Sequence, residues 1–126
     1  MNIAIPVWEG KVSPVFDTAS RVMVLNLENQ KETSRFEAYI DEHDLTRRCL
    51  RIRRLGVDIL ICGAVSRTFY GILTAAGIHV IPWVSGYAED VLAAYLNGTL
   101  FDSRFLMPGC RRKPVTVSKP DFKSKK

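Results

Sequence analysis

Asp58-Ile59-Leu60-Ile61-Cys62-Gly63-Ala64-Val65-Ser66-Arg67 is the stretch on which the fold turns. Residues 59–62 are apolar without alternation, the pattern of a short strand covered on both faces. Small residues follow. Ser66 is a helix-capping type, and Phe69, Ile72, Leu73 and Ala76 recur at i, i+3, i+4 and i+7 behind it. Gly77 suits the left-handed position that stops a helix, and Ile78-His79-Val80-Ile81 reads as the next strand. A strand–helix–strand unit of this length joins parallel strands through a right-handed crossover.

Upstream, the periodicity changes twice. Leu45, Cys49, Ile52 and Gly56 fall on one helical face, with Asp41 or Asp44 available as N-cap. Before them lie two runs of period two. Arg21 to Glu28 sets Met23, Leu25 and Leu27 against Val22 and Val24. After a hairpin connection at Asn29-Gln30-Lys31, Thr33 to Ile40 sets Phe36, Ala38 and Ile40 inward and Arg35 and Glu37 outward. Ile3 to Val7 reads as a first, buried strand, and residues 8–18 as a loop. Pro6 cannot donate to a ladder, so that strand ends there or leaves the position unpaired.

Downstream, Ser85 or Gly86 opens a third helix with Ala88, Val91, Leu92, Tyr95 and Leu96 on its buried stripe, ending at Asn97-Gly98. The fold class is therefore α/β: an antiparallel meander leading into βαβα, with five strands in one mixed sheet and helices on its faces. His79, alternating with Ile78 and Val80, is expected to be a core residue. Leu100, Phe101, Phe105 and Leu106 can fold back on the body. The domain is expected to span residues 1–106, and residues 107–126, which lack apolar periodicity, to form a basic, disordered tail.

Of the 126 residues, 47% are hydrophobic and 25% charged, which fits a globular domain and not a disordered chain. The net charge of +5 is unevenly placed. Residues 107–126 carry seven Lys or Arg against Asp121 alone, leaving 11 basic and 12 acidic groups in residues 1–106. A body without surplus positive charge is a poor footprint for nucleic acid. No apolar run approaches the roughly 18 residues of a membrane span and no leader pattern is visible. The expected location is the cytoplasm, with no membrane or nucleic-acid partner.

Three cysteines at wide spacing, Cys49, Cys62 and Cys110, make no CxxC pair and no disulfide framework. Cys62 is read either as a thiolate ligand at the helix start or as a buried core residue. Cys49 lies on the core stripe of the first helix. Cys110, in Met107-Pro108-Gly109-Cys110-Arg111-Arg112, has flanking arginines that favour its thiolate, and is either a ligand or a free surface thiol. His43, among Asp41, Glu42 and Asp44, is either a metal ligand or part of a solvated helix start. Arg47, Arg51 and Arg54 share the outer face of an arginine-rich helix that also holds Arg48 and Arg53. Such a face is solvated or docks an acidic partner.

The loop at residues 62–67 is the strongest site candidate. It follows a parallel strand, where open α/β sheets form ligand crevices, and a helix start offers N–H groups to an anion. Gly63 and Ala64 allow close approach, Ser66 caps, and Arg67 adds charge. Catalysis has little support: there is no P-loop, GxGxxG, HExxH or Ser–His–Asp order. A two-metal nuclease needs a carboxylate cluster on the central strands, whereas residues 3–7 hold no acid and Asp58 stands at the amino-terminal end of its strand.

Three segments together resemble the dinitrogenase iron–molybdenum cofactor biosynthesis family. They are Met1-Asn2-Ile3-Ala4-Ile5-Pro6 running into Val12-Ser13-Pro14-Val15-Phe16-Asp17, then Ile61-Cys62-Gly63-Ala64, then Ala76-Gly77-Ile78-His79-Val80 with the helix ending Leu96-Asn97-Gly98-Thr99-Leu100. The resemblance implies a ribonuclease-H-like, three-layer fold and a non-enzymatic role related to nitrogen fixation. That role is to bind or carry an anionic metal–sulfur cluster, of the iron–molybdenum type or another molybdenum or iron–sulfur cluster, or its precursor, during assembly or delivery. The resemblance supplies the cofactor class, and the residues supply an anion-friendly crevice near Ser13, Phe16 and Asp17 and near Gly63, Ala64, Ser66 and Arg67, with Cys62, Cys110 and His43 as candidate metal ligands. An acidic cofactor-assembly protein is the implied partner. The alternative is a regulatory or adaptor domain without metal, docking an acidic protein through the arginine-rich helix and the tail.

Overall fold

The structure, a computed structural model, describes residues 1–100 and 105–107. Of the expected tail only Met107 is described, and the rest of it, Cys110 included, lies outside the described residues. The strands are β1 (Asn2–Trp8), β2 (Lys11–Val12), β3 (Arg21–Glu28), β4 (Lys31–Tyr39), β5 (Ile59–Ile61) and β6 (His79–Ile81). The helices are α1 (Leu45–Arg54), α2 (Arg67–Ala75) and α3 (Ala88–Asn97), with a 3-10 turn at Phe16–Thr18. All five expected strands are present, in the order β4-β3-β1-β5-β6. Lys11–Val12 adds a short partner antiparallel to β1, within the stretch expected to be loop.

The meander pairs β1 with β3 and β3 with β4 antiparallel, and β1, β5 and β6 run parallel. The turn from β3 to β4 needs only Asn29 and Gln30, both at positive φ (55° and 64°), the handedness a two-residue hairpin requires. Pro6 stays in register opposite Val22, and its carbonyl accepts from the N–H of Ser13.

The strands divide their side chains between two cores, as period two demands. Ala4, Val22, Val24, Leu60, Cys62 and Val80 face one cluster with Cys49 and Ile52 of α1 and Phe69 and Leu73 of α2. Ile3, Ile5, Met23, Leu25 and Ile61 face the other with Val91 and Leu92 of α3. The result is a three-layer sandwich. Helix α1 is capped by Asp44, whose carboxylate accepts from Arg47 N–H (3.0 Å), and α2 by Ser66, whose hydroxyl accepts from Phe69 N–H (3.1 Å). Gly98, at φ 78°, ends α3. No helix among the described residues is long and apolar enough to cross a membrane.

Four details correct the expectations. Phe36 is 48% exposed, because β4 is the outermost strand and reaches beyond the cover that α1 gives its neighbour. His79 is exposed, because β6 is the opposite edge strand and has no neighbour beyond it to shelter its first residue. Gly56 does not share the buried face of α1. It follows the helix at φ 77°, where its carbonyl accepts from the Asn2 side chain. Helix α3 starts after Tyr87, without a side-chain cap.

Both described thiols are buried, and loss of solvent pushes that of Cys49 above its ordinary pKa. Mass-mapped alkylation of the native protein is therefore expected to modify Cys110 first, and Cys49 and Cys62 only on unfolding. Labelling of Cys49 at the rate of Cys110 would contradict the packing of α1.

Candidate functional site

The parallel strands β1, β5 and β6 all point their carboxyl ends at one edge of the sheet, and backbone pairing continues past them. Val15 forms a parallel bridge with Ala64. The N–H of Ala64 donates to the Pro14 carbonyl and the N–H of Phe16 to the Ala64 carbonyl, both at 2.8 Å. The next loop is fastened to the same place, with Trp83 N–H on the Gly63 carbonyl (2.9 Å) and Val84 N–H on that of Cys62 (3.0 Å). Residues 105–107 follow: Val84 bridges Leu106, and Met107 N–H donates to the Trp83 carbonyl (3.1 Å).

Glycine is required at position 63 because nothing larger fits. A Cβ there would stand 2.6 Å from the Ser13 carbonyl oxygen and 2.7 Å from that of Pro14. The sequence suggested room for a ligand, but the space is filled by the chain's own first loop. Trp83, at φ 67°, is a bulky residue held in a left-handed conformation and is 41% exposed.

The structure brings Ser13, Phe16, Asp17, Gly63, Ala64 and Ser66 together, with Arg67 next in sequence. They contribute differently. Ser13 is buried, and the Phe16 ring is fully buried, stacked on Phe69 with centroids 5.0 Å apart. Ala64 has both backbone groups engaged with the first loop. Asp17, Ser66 and Arg67 reach solvent. The Asp17 carboxylate accepts from Ser66 N–H at 2.8 Å, so the start of α2 already holds one anionic oxygen from the protein. Arg67 and Thr68, the first two residues of α2, have N–H groups without intrahelical acceptors. The Arg67 side chain has no hydrogen bond or ion pair among the described residues.

The candidate metal ligands do not converge. Cys62 is fully buried in the core beneath α1 and α2, and His43 is exposed ahead of α1. Among the described residues no three His, Cys, Asp or Glu side chains gather where they could hold a metal ion. Asp58 accepts from Asn2 N–H at the other end of β1 and β5.

One residue at the site escaped the sequence reading. Arg48, in the arginine-rich helix, is 2% exposed. Its Nη2 donates to the carbonyls of Phe16 and Ala19, both at 2.7 Å, and its Nη1 to that of Glu42 at 3.0 Å. The available signal was its place beside Cys49, one residue off the core stripe.

The family model for the dinitrogenase iron–molybdenum cofactor matches residues 1–98. Solved structures share the fold. The protein PH0822 superposes with TM-score 0.76 at 21% identity, covering 82% of this chain and 95% of its own. The apo orange protein of Desulfovibrio gigas gives 0.66 at 19%, covering 83% and 94%. The MJ0327 protein of Methanocaldococcus jannaschii gives 0.65 at 19%, covering 79% and 90%. No curated protein matches the chain.

The close approach at Gly63 gives a direct test. Gly63→Val is expected to lower the thermal midpoint by at least about 4 °C, since overpacking costs about 1–3 kcal/mol and each ~1 kcal/mol moves such a domain by roughly 4–8 °C. Gly71→Ala, where a Cβ meets nothing within 4 Å, is the control and should not lower it. A Gly63→Val midpoint equal to wild type would show that the two loops separate freely.

Proposed function

The chain belongs to the dinitrogenase iron–molybdenum cofactor family, and from that premise we propose that it binds an anionic metal–sulfur cluster, or a precursor of one, at the crevice between residues 13–17 and 63–67. The cluster is cargo, carried during assembly or delivery, and iron–molybdenum and other molybdenum or iron–sulfur species are its class. The observation that carries the reading is the start of α2. There a paired, glycine-dependent loop presents the N–H groups of Arg67 and Thr68 and the unpartnered Arg67 guanidinium on one exposed surface. Backbone N–H groups, the helix dipole and a guanidinium all favour an anion.

The donor set argues for cargo held as an anion rather than caged by side chains. The described residues offer no cluster of three metal-ligating groups, and Cys62 lies in the core. Ser13, Phe16, Gly63 and Ala64 build the wall, while Ser66 and Arg67 face the cargo. Cys110 is the proposed sulfur donor. Met107 is bonded to Trp83, and Trp83 to Gly63. His43 is left without a part in this reading.

Asp17 works against the cargo, since its carboxylate occupies the same helix start. Asp17→Asn keeps an oxygen for the Ser66 N–H and removes the charge. It is expected to tighten binding of tetrathiomolybdate about three- to tenfold, the range that roughly 0.6–1.4 kcal/mol produces. Arg67→Ala should weaken binding by about 1–3 kcal/mol without abolishing it, because the backbone donors remain. Both are read by anaerobic titration followed by absorption. Binding by both variants identical to wild type would place the anion elsewhere.

A further inference from the structure

Arg48 poses a problem that the core does not solve. A guanidinium loses much of its hydration on burial, and buried charges are normally paired with an opposite charge. Arg48 makes no ion pair among the described residues. Its acceptors are three neutral carbonyls, and its Nε is buried with no acceptor at all. Burial lowers its pKa, opposed by the nearby charge of Asp17. The group lies over two rings, 5.7 Å from the centroid of Phe16 and 5.9 Å from that of Phe69. An apolar side chain of similar length would fill this space without giving up hydration.

What an apolar chain could not do is hold the turn. One nitrogen of Arg48 bonds the carbonyls of Phe16 and Ala19, the residues that begin and follow the 3-10 turn. The other bonds Glu42, ahead of α1. Between the two clamped carbonyls stands Asp17, whose carboxylate rests on the Ser66 N–H. A rigid, planar fork can reach two carbonyls of one turn and a third beyond it, whereas an ammonium is a point donor on a flexible stem.

We infer that Arg48 is a positioning residue for the crevice: it clamps the turn at residues 16–19 from beneath and so fixes the Asp17 carboxylate on the start of α2. The clamp makes Asp17 a defined counter-charge at the binding surface rather than a mobile one. Its effect on the cargo rests on the proposed function, but its effect on the turn does not.

The test uses Arg48→Lys and Arg48→Met, with Ile52→Val as a control for general loosening of the same core. Amide hydrogen exchange is followed by NMR as the ratio of the Ser66 rate to that of Leu25 in the central sheet. The ratio should rise at least tenfold in Arg48→Met and at least threefold in Arg48→Lys, and stay at its wild-type value in Ile52→Val. Should Arg48→Met fail to fold, Arg48→Lys decides alone. Tetrathiomolybdate titration then adds a cycle with Asp17→Asn. The tightening produced by that substitution should fall to less than half in the Arg48→Lys background. An unchanged Ser66 ratio in folded Arg48→Lys, or a full Asp17→Asn gain in its background, overturns the inference. If the wild-type protein binds no tetrathiomolybdate, the cargo reading fails, and the exchange ratio still decides the role of Arg48.

Discussion

The contact on which this molecule depends is the one between two backbones at Gly63. The carbonyls of Ser13 and Pro14 lie where a side chain at that position would have to stand. With hydrogen alone there, the first loop can lie against the segment after β5 and bond it in both directions. The ladder then continues beyond the strands. Residues 13–16 pair with 63–64, residues 83–84 are bonded to 62–63, and residues 105–107 to 83–85. Four chain segments are thus fastened in series across the carboxyl ends of the parallel strands. This is the place where open α/β sheets form ligand crevices, and here its rim is made mostly of backbone.

A backbone rim has a particular electrostatic character. Its own N–H groups mostly join the segments to one another, and the donors that remain, on Arg67 and Thr68, need no side-chain entropy to organise and stand at the positive end of the α2 dipole. The charges around it are few and opposed. Arg67 favours an anion and Asp17 disfavours one, while Arg48 lies beneath, spent on carbonyls. The net surplus of positive charge lies in residues 107–126, not in the body. The chain reaches that segment through Met107, bonded at the rim itself.

Most of the architecture was legible in the sequence because it follows from periodicity. The unbroken apolar run at residues 59–62, the alternation in 21–28 and the helical stripes each have one burial pattern that satisfies them. Periodicity fails at the edges of the sheet, where Phe36 and His79 alternate correctly but have no layer above them. It fails again at Arg48, where charge argued for solvent and only three carbonyls, two of them brought in from about 30 residues away by the fold, make burial tolerable. The site was legible as a set of positions but not as a set of roles. Gly63 suggested space for a ligand, and the space belongs to residues 13 and 14. Asp17 lay in an unstructured stretch of sequence, and no spacing rule connects it to a helix start 49 residues away.

In the proposed function an anion sits on the start of α2. Residue-resolved NMR tests it most directly, by titrating the isotope-labelled wild-type protein anaerobically with tetrathiomolybdate and following every backbone amide. Saturable shifts are expected, led by the amides of Ser66, Arg67 and Thr68, with smaller ones at residues 15–17. Shifts confined to the outer face of α1 at Arg47, Arg51 and Arg54, or no saturable shift at α2, would contradict it.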